Sequence, residues 1–277
     1  MTHQVGPMVQ RQRLRTDLQQ VRLRLGLTQR QVAADLGWSV SKLLRVENGK
    51  VGVSRTDLKA LLQCYGITDP EVVDGYVTMA AQGRKQRWSA YRDVLNPQFF
   101  KYLEYEGSAS SIRQFQPHVI PGLLQTEAYA RYLGRVASGT PVDVLDRQME
   151  VRTARQDRLD EVRLDVVLDE AVIRRCLGAE PSVAAEQVAH LRELAARPAV
   201  SVRVVPFARG PYRGSSTPFI LLGFPDPGDG DLLFRENGTD SVATRGDPRR
   251  TTRFAELFDE LDAAAVPVVD LLPPSVP

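Results

Sequence analysis

Residues 39–50, SVSKLLRVENGK, gather hydroxyls, an ammonium, a guanidinium and an amide in one short segment. Ser39 is a good N-cap, Leu43 and Val46 recur at helical spacing, and Asn48-Gly49 supplies a break at the far end. The pattern predicts a helix of about three turns. With Leu43 and Val46 turned inward, Ser41, Arg45 and Asn48 share the opposite face at i, i+4 and i+7. Such a face offers hydrogen bonds outward. What it addresses depends on the rest of the chain.

Other chemistry is sparse. The three histidines, His3, His118 and His190, have no metal-ligand spacing, and His118 in its Pro-flanked loop reads as a surface residue. No nucleophile elbow, phosphate loop or dinucleotide fingerprint occurs. RGPYRGSS (209–216) has the glycines and arginines to hold an anion, but reads more simply as a connection between strands. Asp169-Glu170 resembles an acid pair, yet starts the helix EAVIRRC, where acidic residues favour the N-terminal dipole. We therefore expect no enzyme activity, cofactor or metal. Cys64 and Cys176 lie far apart without CxxC spacing, which excludes a disulfide scaffold and fits a reducing compartment. The first residues, MTHQVGPMVQRQRLR, have no apolar signal core. The most apolar run, LDAAAVPVVDLLPP, is broken by Pro267 and Asp270. A cytoplasmic, nucleoid-associated protein with no membrane contact is expected.

The elements that carry residues 39–50 lie in a basic head. Of 277 residues, 43% are hydrophobic and 25% charged, with a net charge of +2. Residues 1–68 hold eleven Lys or Arg against four Asp or Glu, so the head is strongly basic and the remainder acidic. That imbalance points either to a polyanion partner for the head alone or to basic residues that simply solvate helix surfaces. Leu14, Leu18, Val21 and Leu25 predict a first helix over Gln12–Leu25, ended by Gly26. Thr28 and Gln31 form a capping box for a second helix that buries Val32, Ala33 and Leu36 and stops at Gly37. The segment at Ser39 follows at once, so the two short helices cross steeply. Further helices are expected from Arg55 to Tyr65 and from Pro70 to Ala81, the latter capped by Asp69.

RLRLGLTQRQVAADLGWSVSKLLRVENGK strongly resembles the Xre (lambda-repressor-like) helix-turn-helix family over residues 12–66. The resemblance implies an all-α, five-helix domain over residues 10–82 that binds double-stranded DNA. In such domains the second helix of the pair enters the major groove. Ser39, Val40, Ser41 and Lys42 then face base edges, with Arg45 one turn on. Arg45 suits guanine O6 and N7. Gln29 suits a phosphate or an adjacent base, and Asn48 and Lys50 the phosphate backbone. The family pairs a Glu at the position of Glu47 with an Arg near the end of the first helix, here Arg22. Leu44 departs from the family pattern. With Val40 it makes a small apolar patch that either touches thymine methyls or packs against the fourth helix.

Residues 83–96, with Arg84, Lys85 and Arg87, read as a linker. Alternating helices and apolar strands over 97–270 predict an α+β or α/β domain, followed by a Pro-rich tail at 271–277. IRQFQPHVIPGLLQTEAYA, RQDRL, VVLDEAVIRR, VRVVPFARGPYRG and PFILLGF resemble the large C-terminal domain of actinobacterial Xre-type regulators, WhiJ-like proteins among them. That resemblance implies a small acidic partner protein encoded nearby, in an arrangement like a toxin–antitoxin pair. A homodimer is expected as well, because one helix-turn-helix reads too few base pairs to find a site in a genome. The alternative for the body is a small-molecule sensor, with a pocket near Phe115, Tyr129, Phe207 and Phe219.

Overall fold

A computed structural model describes residues 7–47, 52–83, 88–237, 240–245 and 247–275. The chain forms two compact units that meet between Arg87 and Trp88.

The first unit is helical: α1 (Pro7–Arg24), α2 (Gln29–Asp35), α3 (Val40–Glu47), α4 (Arg55–Cys64) and α5 (Pro70–Gln82). Leu14, Leu18, Val32, Leu43, Leu58 and Leu61 form its core. α1 starts earlier than the expected Gln12, and Val9 joins the buried side chains. It also ends before Leu25, which is 50% exposed instead of completing the apolar stripe. Gly26, at φ +67°, turns the chain in the left-handed region before that residue can face inward. Side chains fix the other helix starts. Thr28 Oγ1 accepts from Gln31 N while Gln31 Oε1 accepts from Thr28 N, a reciprocal box. Ser54 Oγ accepts from Asp57 N, and Asp69 Oδ1 accepts from Glu71 N and Val72 N.

The second unit is α+β. Its helices are α6 (Pro97–Glu106), α7 (Glu127–Ser138), α8 (Val142–Gln156), α9 (Glu170–Leu177), α10 (Pro181–Ala195) and α11 (Pro248–Ala263). Its strands are β1 (Ser111–Gln116), β2 (Arg163–Asp169), β3 (Val200–Val205), β4 (Phe219–Gly223), β5 (Leu232–Asn237), β6 (Asp240–Arg245) and β7 (Val266–Pro267). They join in one mixed sheet of order β6-β5-β4-β1-β2-β3-β7. β1, β2 and β3 run parallel, and the other pairs are antiparallel. The central strand β2 is buried at Leu164, Val166, Val167 and Leu168, so its run is continuous rather than alternating. On one sheet face Phe115, Val167, Phe219 and Leu221 pack with Leu257, Phe258 and Leu261 of α11. On the other, Gln114 lies opposite Ile220 and Ile220 opposite Phe234, whose ring is 4.6 Å from that of Tyr102 in α6.

Two expected boundaries change. Residues 88–96, read as linker, belong to the second unit. Trp88 is buried, Arg147 of α8 pairs with Asp93, and Gln148 Nε2 donates to Val94 O at 3.0 Å. The reason is long-range: polar side chains of α8 hold this segment. Residues 84–87, with the basic run, lie outside the described residues. In the expected tail, Leu272 is buried and Arg192 donates to Pro273 O.

Between β1 and α7 the chain finds few backbone partners, and side-chain amides supply them. Gln125 Nε2 donates to Ile120 O at 2.6 Å, Gln156 Nε2 to Gln125 O at 2.8 Å, and Gln187 Nε2 to Leu124 O at 2.7 Å. Buried carbonyls are thereby satisfied without a ladder.

Candidate nucleic-acid interface

α2 and α3 are joined by residues 36–39 alone. Gly37, at φ +63°, lets Trp38 N donate back to Ala33 O at 2.8 Å, which closes α2 and redirects the chain. No atom would obstruct a Cβ at Gly37, so the backbone angle and not space requires glycine there. Ser39 Oγ then accepts from Lys42 N at 3.1 Å and starts α3. Leu43 and Val46 are buried, whereas Ser39, Val40, Ser41, Leu44 and Arg45 are exposed. Leu44 is 37% exposed and Val40 38%, so their apolar patch opens to the surface and is not absorbed into the core beside α4. Arg45 has no ion pair among the described residues and is free to take an incoming acceptor.

One buried constellation fixes α3 against its neighbours. Arg22 Nε donates to Glu47 Oε1 at 2.6 Å and Arg22 Nη2 to Glu47 Oε2 at 3.0 Å, with both side chains buried. Arg22 Nη1 also donates to Leu27 O at 2.9 Å, so the end of α1, the following turn and the end of α3 are tied together. The Glu47 hydrogen bond raises the Arg22 pKa against the opposing effect of burial, so the guanidinium stays charged. Tyr65 lies close by with its phenol pKa pushed up, first by burial and then by the Glu47 charge, so it stays neutral.

Residues 13–74 match a family model described as a helix-turn-helix domain. Residues 99–270, more than half of the chain, match a family described as a domain of unknown function, DUF5753. The chain belongs to the DUF5753 family. No curated protein and no solved structure matches it significantly.

Two side chains of the helix-turn-helix are placed differently from expectation. Gln29, expected on phosphate or a base, donates through Nε2 to Glu47 Oε2 at 2.7 Å. A buried carboxylate has acceptor sites left after pairing with one guanidinium, and this amide fills one. Lys42, expected at base edges, instead holds Asp57 of α4 at 2.9 Å and lies 4.0 Å from the centre of the Trp38 ring. The Lys42 hydrogen bond keeps the Asp57 carboxyl below its usual pKa. Asn48 and Lys50 lie outside the described residues.

In the DUF5753 unit, Asp169 Oδ1 caps α9 by accepting from Ala171 N at 2.8 Å. Glu170 accepts from Phe207 N and from Arg174. Both acids therefore have local structural partners. The aromatic residues expected around a pocket do not line a shared one: Phe115, Tyr129 and Phe219 are buried, and Phe207 is 58% exposed. A cavity exists elsewhere, around Arg152 and Gln114. Sequence reading missed it, although its signal was present. Gln114 and Gln116 fall on the same strand face as the buried Ile112, polar residues where an apolar one is expected. Among the described residues no His, Cys, Asp or Glu group could hold a metal, and no helix is long and apolar enough to cross a membrane.

Proposed function

We propose that this protein is a sequence-specific regulator of transcription that binds double-stranded DNA through α3 of an Xre-type domain, and that it works without catalysis. The observation that carries the reading is the exposed face Ser39-Val40-Ser41-Leu44-Arg45 on a helix held rigidly by the Arg22–Glu47 pair. A recognition helix needs both features: free side chains facing the groove and a fixed docking angle. Arg45 reads a guanine, Ser41 an adjacent edge, and Val40 with Leu44 a thymine methyl. Asn48 and Lys50 contact phosphate. Gln29 steadies Glu47 and thereby the helix pair. The protein acts as a homodimer on two half-sites about one helical turn apart, with the dimer contact in the second unit.

The second unit is the input domain. Its resemblance to WhiJ-like regulators supports a small acidic partner protein. The cavity beside α8 supports a small molecule instead, and it is the more specific observation because it belongs to this chain. Sequencing of genomic fragments retained by the full chain, followed by titration of the enriched duplex against a scrambled one, tests the DNA reading. Equal affinity for both duplexes at every salt concentration rejects it.

A further inference from the structure

A cavity of about 830 Å³ opens in the second unit, within the range of roughly 300–1,000 Å³ typical of small-molecule sites. Gln148, Arg152 and Arg155 reach it from α8 at i, i+4 and i+7, one face of the helix. Gln114 and Gln116 reach it from β1, beside Ile220 of β4. Phe99 and Tyr102 of α6 add an aromatic side. No carboxylate is among the described residues that line it.

The two arginines differ in kind. Arg155 Nε and Nη2 hold Glu106 Oε1 and Oε2 at 2.7 and 2.8 Å, and Tyr102 Oη donates to the same carboxylate. Burial opposes ionisation of Glu106, but the Arg155 charge and hydrogen bonds outweigh it and hold the carboxyl below its usual range. That pair is closed. Arg152 Nη1 donates to Gly122 O at 3.2 Å and to Gln125 Oε1, both neutral, and its buried Nε has no partner. Burial, then repulsion from Arg155, pushes the Arg152 pKa down to about 10. A partly buried cation without a counter-charge is costly, and an anion entering the cavity would relieve it. Gln114 and Gln116 are also buried beside the cavity; Gln116 Oε1 accepts from His118 N at 3.2 Å, which leaves its amide nitrogen to donate.

We infer that the cavity binds a small organic anion, with its carboxylate or phosphate on Arg152 and an apolar body against Phe99 and Ile220. Gln114 and Gln116 meet the polar substituents of that body. This deepens the small-molecule reading of the input domain and does not depend on DNA binding. The test is calorimetry on the full chain with three probes: 1-naphthaleneacetate, 1-naphthyl phosphate and the neutral 1-naphthaleneacetamide. At least one anion is expected to bind at least tenfold more tightly than the amide, and the choice between the two anions identifies the head group. Arg152→Gln is expected to abolish that preference. Arg152→Lys, which keeps the charge, is expected to retain part of it. Circular dichroism and melting of each variant check that the fold survives. Equal affinity for the amide, or a preference unchanged in a folded Arg152→Gln, overturns the anion and leaves a ligand cavity standing. Failure of all three probes to bind overturns both.

Discussion

Arg45 and Glu47 sit two residues apart on α3 and have opposite tasks. Arg45 is exposed and unpaired among the described residues, so its removal is expected to leave the fold intact. Arg45→Ala is expected to weaken operator binding by about 1–3 kcal/mol and to relax selectivity at one base pair. A binding series over single-base operator variants would show it, and a uniform loss across all variants would instead make Arg45 a phosphate contact. Glu47 is buried against Arg22, so Glu47→Ala strands a guanidinium. Thermal or denaturant unfolding is expected to register a loss of about 3–5 kcal/mol. A loss below about 1 kcal/mol would fit an exposed surface pair, contrary to the burial described. The exposed face of α3 was legible because its polar residues alternate with Leu43 and Val46 at helical spacing. The Gln29–Glu47 bond was not, since nothing in a polar side chain at a helix start says whether it turns outward or inward.

Among elements, those with side-chain caps were the most legible. Thr28 with Gln31, Ser39 and Asp69 each mark a helix start that the structure contains. The apolar runs of β2 and β4 mark strands for the same local reason. β7 and the 88–96 segment were illegible. β7 is two residues long and exists by pairing with β3, and residues 88–96 are held by α8, more than fifty positions away. The α6–α8 junction through Glu106 and Arg155 also predicts an acid response. The folded Glu106 carboxyl titrates below its unfolded value of about 4.3. Its stabilisation is therefore present above that value and lost as pH falls through the folded one. Asp57, held low by Lys42, does the same more weakly in the first unit because that pair is partly exposed. Melting temperature of the second unit is expected to drop steeply below about pH 4, and in Glu106→Gln that drop should flatten. An unchanged slope would assign the acid response to other carboxylates.

The whole molecule couples a basic helical unit to an acidic sheet unit, and the charge imbalance was legible by counting. The logarithm of DNA affinity should therefore fall linearly with log salt concentration, with a slope of about −0.9 per phosphate neutralised. Titrations at several ionic strengths measure it, and a flat dependence would contradict a basic reading head. The position of β1 in the sheet bears on time rather than affinity. β1 pairs Ser111 with Arg163 on one side and with Gly223 on the other, so neither edge forms until much of the unit has been synthesised. The first unit is shorter and built of helices alone, each closed by local hydrogen bonds, although α1 also packs against the distant α5. Closure between distant segments slows folding, whereas local contacts speed it. The two tryptophans report each unit separately, Trp38 in the first and Trp88 in the second. In stopped-flow refolding, Trp88→Phe should leave a fast phase from Trp38, and Trp38→Phe a phase at least tenfold slower from Trp88. Matching rates would mean that the two units fold as one. With distinct rates, the helix-turn-helix of a nascent chain is already folded while the sheet of the second unit is still open.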